Sequence, residues 1–120
     1  MTAPDTSSDG SGAPDARVLD HLSRVVDSRK GADPESSYTA KLFAKGPKKI
    51  AQKVGEEATE VVIAALAEGP DAVVTESADL LYHLSVLWAQ AGVAPDQVWA
   101  ELARRFGTSG LEEKASRGAS

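Results

Sequence analysis

Cysteine is absent from this 120-residue chain. That excludes disulfides, thiolate metal sites and cysteine nucleophiles. No run of about 18 apolar residues occurs, so no membrane-spanning helix is expected. The N-terminus has no basic stretch followed by an apolar core, so it does not read as a secretory leader. These absences together set a cytoplasmic expectation. Basic residues are outnumbered 13 to 18, for a formal charge of −5, which argues against nucleic acid as the partner because duplex binding needs a basic footprint. No Gly-x-x-x-x-Gly-Lys loop is present, so the chain is not a P-loop enzyme. No segment alternates apolar and polar residues as a half-buried strand would. Aromatics make up only 5% of the chain, and Tyr82, Trp88, Trp99 and Phe106 read as core or dimer contacts rather than a base-stacking platform.

The apolar residues that remain recur at helical spacing. Residues 1–15 are Ser, Gly, Pro, Asp and Thr with little to bury, and are read as a disordered extension. From Ala16 the sequence VLDHLSRVVDSRK places Val18, Leu19, Leu22, Val25 and Val26 on one helical face, ended near Gly31. Asp33-Pro34 marks a turn or helix start, and Tyr38, Leu42 and Phe43 suggest a short helix stopped near Gly46-Pro47. KKIAQKVGEEATEVVIAALAE is the strongest helical segment, broken by Gly69-Pro70. DAVVTESADLLYHLSVLWAQA follows, with Gly92 as its cap. Pro95-Asp96 opens a last helix with Val98, Leu102 and Phe106 as its buried stripe. The tail from about 108 is polar, with a short helix at LEEKA. The expected fold is all-α: a bundle of four to five helices in one domain over residues 16–120. A domain this small buries only a moderate share of its surface, so a second copy is expected to complete it.

Two of these helices carry carboxylates where they should be burying themselves. In the third, Ile50, Val54, Val61 and Ala65 form the apolar stripe. Glu57 lies at its edge and Glu60 one turn on, with Glu56 beside them. In the fourth, Val73, Leu80, Leu84 and Leu87 mark the stripe, and Glu76 and Asp79 sit next to it at i,i+3. Like charges at this spacing destabilise a helix by about a few tenths of a kcal/mol per pair, and partial burial costs more. A divalent cation offsets both, and magnesium takes carboxylate oxygens together with substrate phosphates. The competing interpretation is a solvated acidic face. His83 is one turn from Asp79 and two from Glu76 and reads as a partly buried, hydrogen-bonded histidine; His21 reads as surface.

Just before the acids, Lys41, Lys45, Lys48, Lys49 and Lys53 occur with no acidic residue among them. Ammonium groups beside a cation site suit a polyphosphate. Ser37, Tyr38 and Thr39 add hydroxyls.

The stretches SYTAKLFAKGPKKIAQKVGEEATEVVIAAL and ESADLLYHLSVLW resemble the phosphoribosyl-ATP pyrophosphohydrolases of histidine biosynthesis, and the tail ARRFGTSGLEEKASR is similar to that family's C-terminal end. The resemblance spans about residues 18–117. The ExxE and ExxD motifs alone would indicate only the wider MazG-like superfamily. The resemblance implies that Glu57, Glu60, Glu76 and Asp79 bind Mg2+. It also implies hydrolysis of phosphoribosyl-ATP to phosphoribosyl-AMP and pyrophosphate, in a homodimer or related oligomer. The proton acceptor is one of these four acids or Glu56; the pattern does not choose. Lys49 and Lys53 are the candidates for holding the polyphosphate. Ser37, Tyr38, Thr39 and Lys41 are candidates for the phosphoribosyl or adenine end. Many relatives are fused to a cyclohydrolase with cysteine and histidine zinc ligands; with no cysteine in this chain, a monofunctional enzyme is expected here. Two rivals stand beside this reading. One is a housekeeping nucleoside-triphosphate pyrophosphatase sharing the same acids. The other is a non-catalytic helical module that only dimerises or binds metal. The Glu-x-x-His pattern of ferritin-like iron sites is not met, since Asp79 follows Glu76 at i+3 and Ile63 follows Glu60.

Overall fold

The computed structural model describes residues 12–106. The predicted extension over 1–15 therefore lies largely outside the described residues, and the tail from about 108 lies wholly outside them. Helices α1 (Arg17–Ser28), α2 (Tyr38–Lys45), α3 (Pro47–Ile63), α4 (Pro70–Ala91) and α5 (Pro95–Arg104) follow in order, and no strand occurs among the described residues. The all-α expectation is met.

The boundaries follow from local chemistry. Asp33-Pro34 is a turn: Glu35 N–H donates to Asp33 Oδ1 at 2.9 Å, and Ser36 N–H to the Asp33 carbonyl at 2.8 Å. The Ser37 hydroxyl then accepts from Ala40 N–H at 2.9 Å and caps α2. Gly46 and Gly69 adopt φ of 95° and 110° with ψ near extended, a backbone region that side chains disfavour. Each precedes a proline in the first turn of the next helix, where its missing N–H leaves nothing unpaired. α3 does not end cleanly. Its last turn, Ala64–Glu68, widens into a π turn closed by Gly69 N–H to the Ala64 carbonyl at 2.9 Å. Gly92, with φ of 77°, closes α4, and Lys30 Nζ reaches across from the α1 side to donate to the Ala89 carbonyl at 2.9 Å.

The long helices α3 and α4 form a hairpin with the most extensive packing in the molecule. Val26, Leu42, Ile50 and Val86 make the core, one from each of α1 to α4, flanked by Leu22, Phe43, Tyr82, Leu87 and Ala89. Each buried aliphatic side chain contributes about 1.5–3 kcal/mol. All four lie toward one end of the hairpin, where α1 and α2 cover it. At the turn end the apolar residues Val62, Ile63, Leu66 and Val74 are exposed, Leu66 by 84%.

Three buried stripes need correction. In α3, Ile50 is buried, but Val54 and Val61 are only partly so and Ala65 is exposed while Ala64 is buried, because the π turn rotates the last residues away from α-helical register. In α4, the residues fully buried are His83, Ser85 and Val86 rather than Val73, Leu80, Leu84 and Leu87, which are half-buried. In α5, Leu102 and Phe106 are largely exposed and no residue is fully buried. Only Trp99 anchors that helix by a ring contact, edge-on to Trp88 with centroids 5.8 Å apart.

Candidate active site

The acids lie past the rim of the core, about midway along the hairpin. There α3 and α4 bring Glu57, Glu76 and Asp79 together, each offering a carboxylate oxygen with all three within 4.8 Å of one another. Glu57 and Glu76 are half-buried and Asp79 is exposed. Three acids at this separation repel, and Glu76 shows it. Burial first, then the charges of Asp79, Glu60 and Glu57, push its carboxyl above the usual carboxylate range. Glu60 acts on Glu76 electrostatically but stands outside the trio. The i,i+3 spacing thus brings both acids of α4 into the cluster and only one of α3.

Lys53 borders the trio. Its ammonium lies 3.2 Å from Glu56 Oε1 and 3.8 Å from Glu57 Oε2, and its side chain is half-buried. The hydrogen bond it donates to Glu56, then the nearby charges of Glu56 and Glu57, raise its pKa against the opposing pull of burial. Glu56 is engaged from the other side by Gln52 Nε2 at 2.9 Å. Gln52 and then Lys53 hold its carboxyl below the ordinary value, which makes it a weak base. Lys49 also acts on Glu56, while Lys41, Lys45 and Lys48 face solvent.

The hydroxyl residues before α2 divide by role. Ser37 is spent as the helix cap. Thr39 is buried, and its hydroxyl pairs with Tyr82 Oη. Tyr38 is half-exposed and meets His83: its Oη lies 3.2 Å from His83 Nε2, while His83 Nδ1 lies 2.8 Å from the Asp79 carbonyl. Tyr38 also stacks on Tyr82, with centroids 6.1 Å apart. His83 is buried and hydrogen-bonded, as its place in the pattern suggested. Gln52 carried no sequence signal of its own, and Tyr82 was read only as a core or dimer contact. Gln52 was open to discovery as the i−4 neighbour of Glu56, whereas the pairing of Tyr82 with Thr39 joins two elements 43 residues apart.

Fold and site together define a class: a small helical protein that gathers three carboxylates beside a half-buried lysine, a set of groups of the kind that suits a hard cation and phosphate esters or anhydrides. The phosphoribosyl-ATP pyrophosphohydrolase family model matches residues 19–106. A relative named phosphoribosyl-ATP pyrophosphatase from Rhodospirillum rubrum is 65% identical over 104 residues, covering 87% of this chain and 89% of its own length. Relatives of the same name from Paramagnetospirillum magneticum and Azospirillum brasilense are 66% identical over 105 residues and 63% over 102, covering 88% and 85% of this chain and 96% and 92% of their own lengths. The chain belongs to the phosphoribosyl-ATP pyrophosphohydrolase family.

Proposed function

We propose that this chain hydrolyses phosphoribosyl-ATP to phosphoribosyl-AMP and pyrophosphate, the second step of histidine biosynthesis, with a magnesium ion at the carboxylate cluster. Family membership carries the reaction. The single observation that carries the metal is the convergence of Glu57, Glu76 and Asp79. Their donor chemistry fits: magnesium prefers oxygen ligands and is typically held by a few carboxylates plus waters and phosphates. The raised carboxyl of Glu76 fits too, since a cation offsets both the burial and the neighbouring negative charges that raise it.

Glu57, Glu76 and Asp79 would hold the ion, with Glu60 the fourth acid within electrostatic reach. When bound, the ion neutralises charge on phosphate oxygens and lowers the pKa of a coordinated water. Lys53, kept protonated by Glu56 and Glu57, presents a fixed positive charge to the polyphosphate. Lys49 and Lys41 add charge from the start of α3 and from α2. Glu56 orients Lys53, and its lowered pKa makes it the least suited of the acids to take a proton from the attacking water. Of the three hydroxyl residues Tyr38 is the one left for substrate, since Ser37 caps α2 and the buried Thr39 pairs with Tyr82.

The same reading includes a cytoplasmic homodimer. The support is the exposed apolar run Val62, Ile63, Leu66, Val74 and Leu81 on the hairpin, a larger apolar exposure than isolated surface residues account for.

The test is pyrophosphate release from phosphoribosyl-ATP with magnesium, with a chelator control, set beside dCTP and dUTP. Glu76→Gln and Asp79→Asn should each lose about 100-fold or more, since metal ligation supplies several kcal/mol. Near-normal rates in helical, folded variants would dismiss the metal site. Faster turnover of dCTP or dUTP than of phosphoribosyl-ATP would dismiss the substrate.

A further inference from the structure

His83 and Tyr38 form a unit that the carboxylate chemistry does not use. His83 is 7% exposed, and both of its ring nitrogens are engaged. Nδ1 faces the backbone carbonyl of Asp79 at 2.8 Å. A carbonyl oxygen only accepts, so Nδ1 carries the proton. In the neutral ring Nε2 is then a bare acceptor, and Tyr38 Oη, 3.2 Å away, must donate to it. The phenolic proton of Tyr38 is therefore committed to the protein interior. What the half-exposed hydroxyl offers outward is an oxygen lone pair.

The position of that lone pair is set by the contacts that hold the ring. Through His83, Tyr38 is tied to the carbonyl of Asp79, one of the clustered acids. A chain of contacts thus runs from the backbone of a clustered acid through His83 to Tyr38. The Tyr38 ring is fixed as well, stacked on Tyr82 and edge-on to His83 at 5.9 Å between centroids. Tyr82 in turn is held by Thr39.

We propose that His83 is a positioning residue that turns Tyr38 into a hydrogen-bond acceptor for a donor on the nucleoside part of the substrate, a sugar hydroxyl or the base amino group. A hydroxyl whose proton is spent cannot donate to a phosphate oxygen, so Tyr38 is not part of the polyphosphate site that Lys53 serves. The substrate is thereby sorted along its length: lysines and metal take the phosphates, and Tyr38 takes the nucleoside. This inference rests on the activity proposed above.

Three variants separate the parts. Tyr38→Phe removes only the oxygen. His83→Asn keeps a donor within reach of the Asp79 carbonyl and removes the acceptor for Tyr38. His83→Gln places an acceptor near the Nε2 position. One neutral hydrogen bond predicts a KM for phosphoribosyl-ATP raised about three- to tenfold in Tyr38→Phe and His83→Asn, with kcat within about twofold and His83→Gln near wild type. Inorganic tripolyphosphate, used as a competitive inhibitor, should bind both Tyr38 forms alike. ATP, 2′-deoxy-ATP and inosine triphosphate as further inhibitors locate the donor: the analogue lacking it is insensitive to Tyr38→Phe. Nitrogen NMR of His83 at pH 8 should show Nδ1 protonated and Nε2 bare. An unchanged KM in Tyr38→Phe overturns the proposal. So does an equal weakening of tripolyphosphate, or a proton found on Nε2. A wild-type chain that leaves phosphoribosyl-ATP intact instead overturns the activity, and is told apart because the variants are then compared by ATP inhibitor binding and the NMR signature alone.

Discussion

Thr39 and Tyr38 are neighbours in sequence with opposite fates. Thr39 points into the protein and pairs with Tyr82, while Tyr38 stays at the surface. Thr39→Val should therefore lower unfolding free energy by about 1–3 kcal/mol, the cost of a buried polar group left without its partner. Its KM for phosphoribosyl-ATP should stay at the wild-type value. Urea denaturation and steady-state kinetics check the two halves; a raised KM at full stability would mean that Thr39 touches substrate after all. Ile50 gives the matching apolar case. It is 1% exposed at the centre of the core, so Ile50→Ala should cost about 2–5 kcal/mol by the same denaturation measurement.

At the scale of elements, the two Gly-Pro joints decide where α2 ends, where α3 begins and ends, and where α4 begins. Gly69 has φ of 110°, and a Cβ there would meet no atom within 4 Å. Gly69→Ala is then a pure backbone test: strain of about 1–3 kcal/mol should appear without any clash, read as a lowered denaturation midpoint. α5 offers a test by pH. Hydrogen bonds from Arg104 and then Arg105 hold the Glu101 carboxyl down to about 2, from an ordinary value of 4.5. A depressed carboxylate contributes stability above its unfolded pKa and loses it as pH falls through the folded one. Helicity of α5 should thus weaken between about pH 4.5 and 2, and the midpoint should climb in concentrated salt because the pairs are exposed. Carbon NMR titration of Glu101 at low and high ionic strength measures both.

Over the whole molecule, one end of the hairpin is covered and the other is bare. α1 and α2 seal the half with Ile50 and Val86, whereas Leu66 and Val74 are 84% and 70% exposed. The proposed dimer would cover that bare half. Sedimentation at micromolar concentration should give twice the mass of one chain. Leu66→Asp or Val74→Asp should shift it to a single chain with helicity retained, since the covered core is untouched. A monomeric wild type would dismiss the dimer.

The sequence by itself determined what depends on neighbours along the chain. Proline and glycine punctuate by fixing or freeing φ, so Gly46-Pro47, Gly69-Pro70 and Gly92 marked element ends directly. Helical periodicity marked the five helices and placed Glu57, Glu76 and Asp79 near the buried edges that later met. Tertiary structure decided what depends on how helices rotate against each other. That is why Glu60 stands beside the cluster rather than in it, why the π turn moved burial from Ala65 to Ala64, and why Leu102 and Phe106 remain uncovered in a single chain. It also joined Thr39 to Tyr82 and Tyr38 to His83, because a hydrogen bond between separate helices exists only once the core between them has packed.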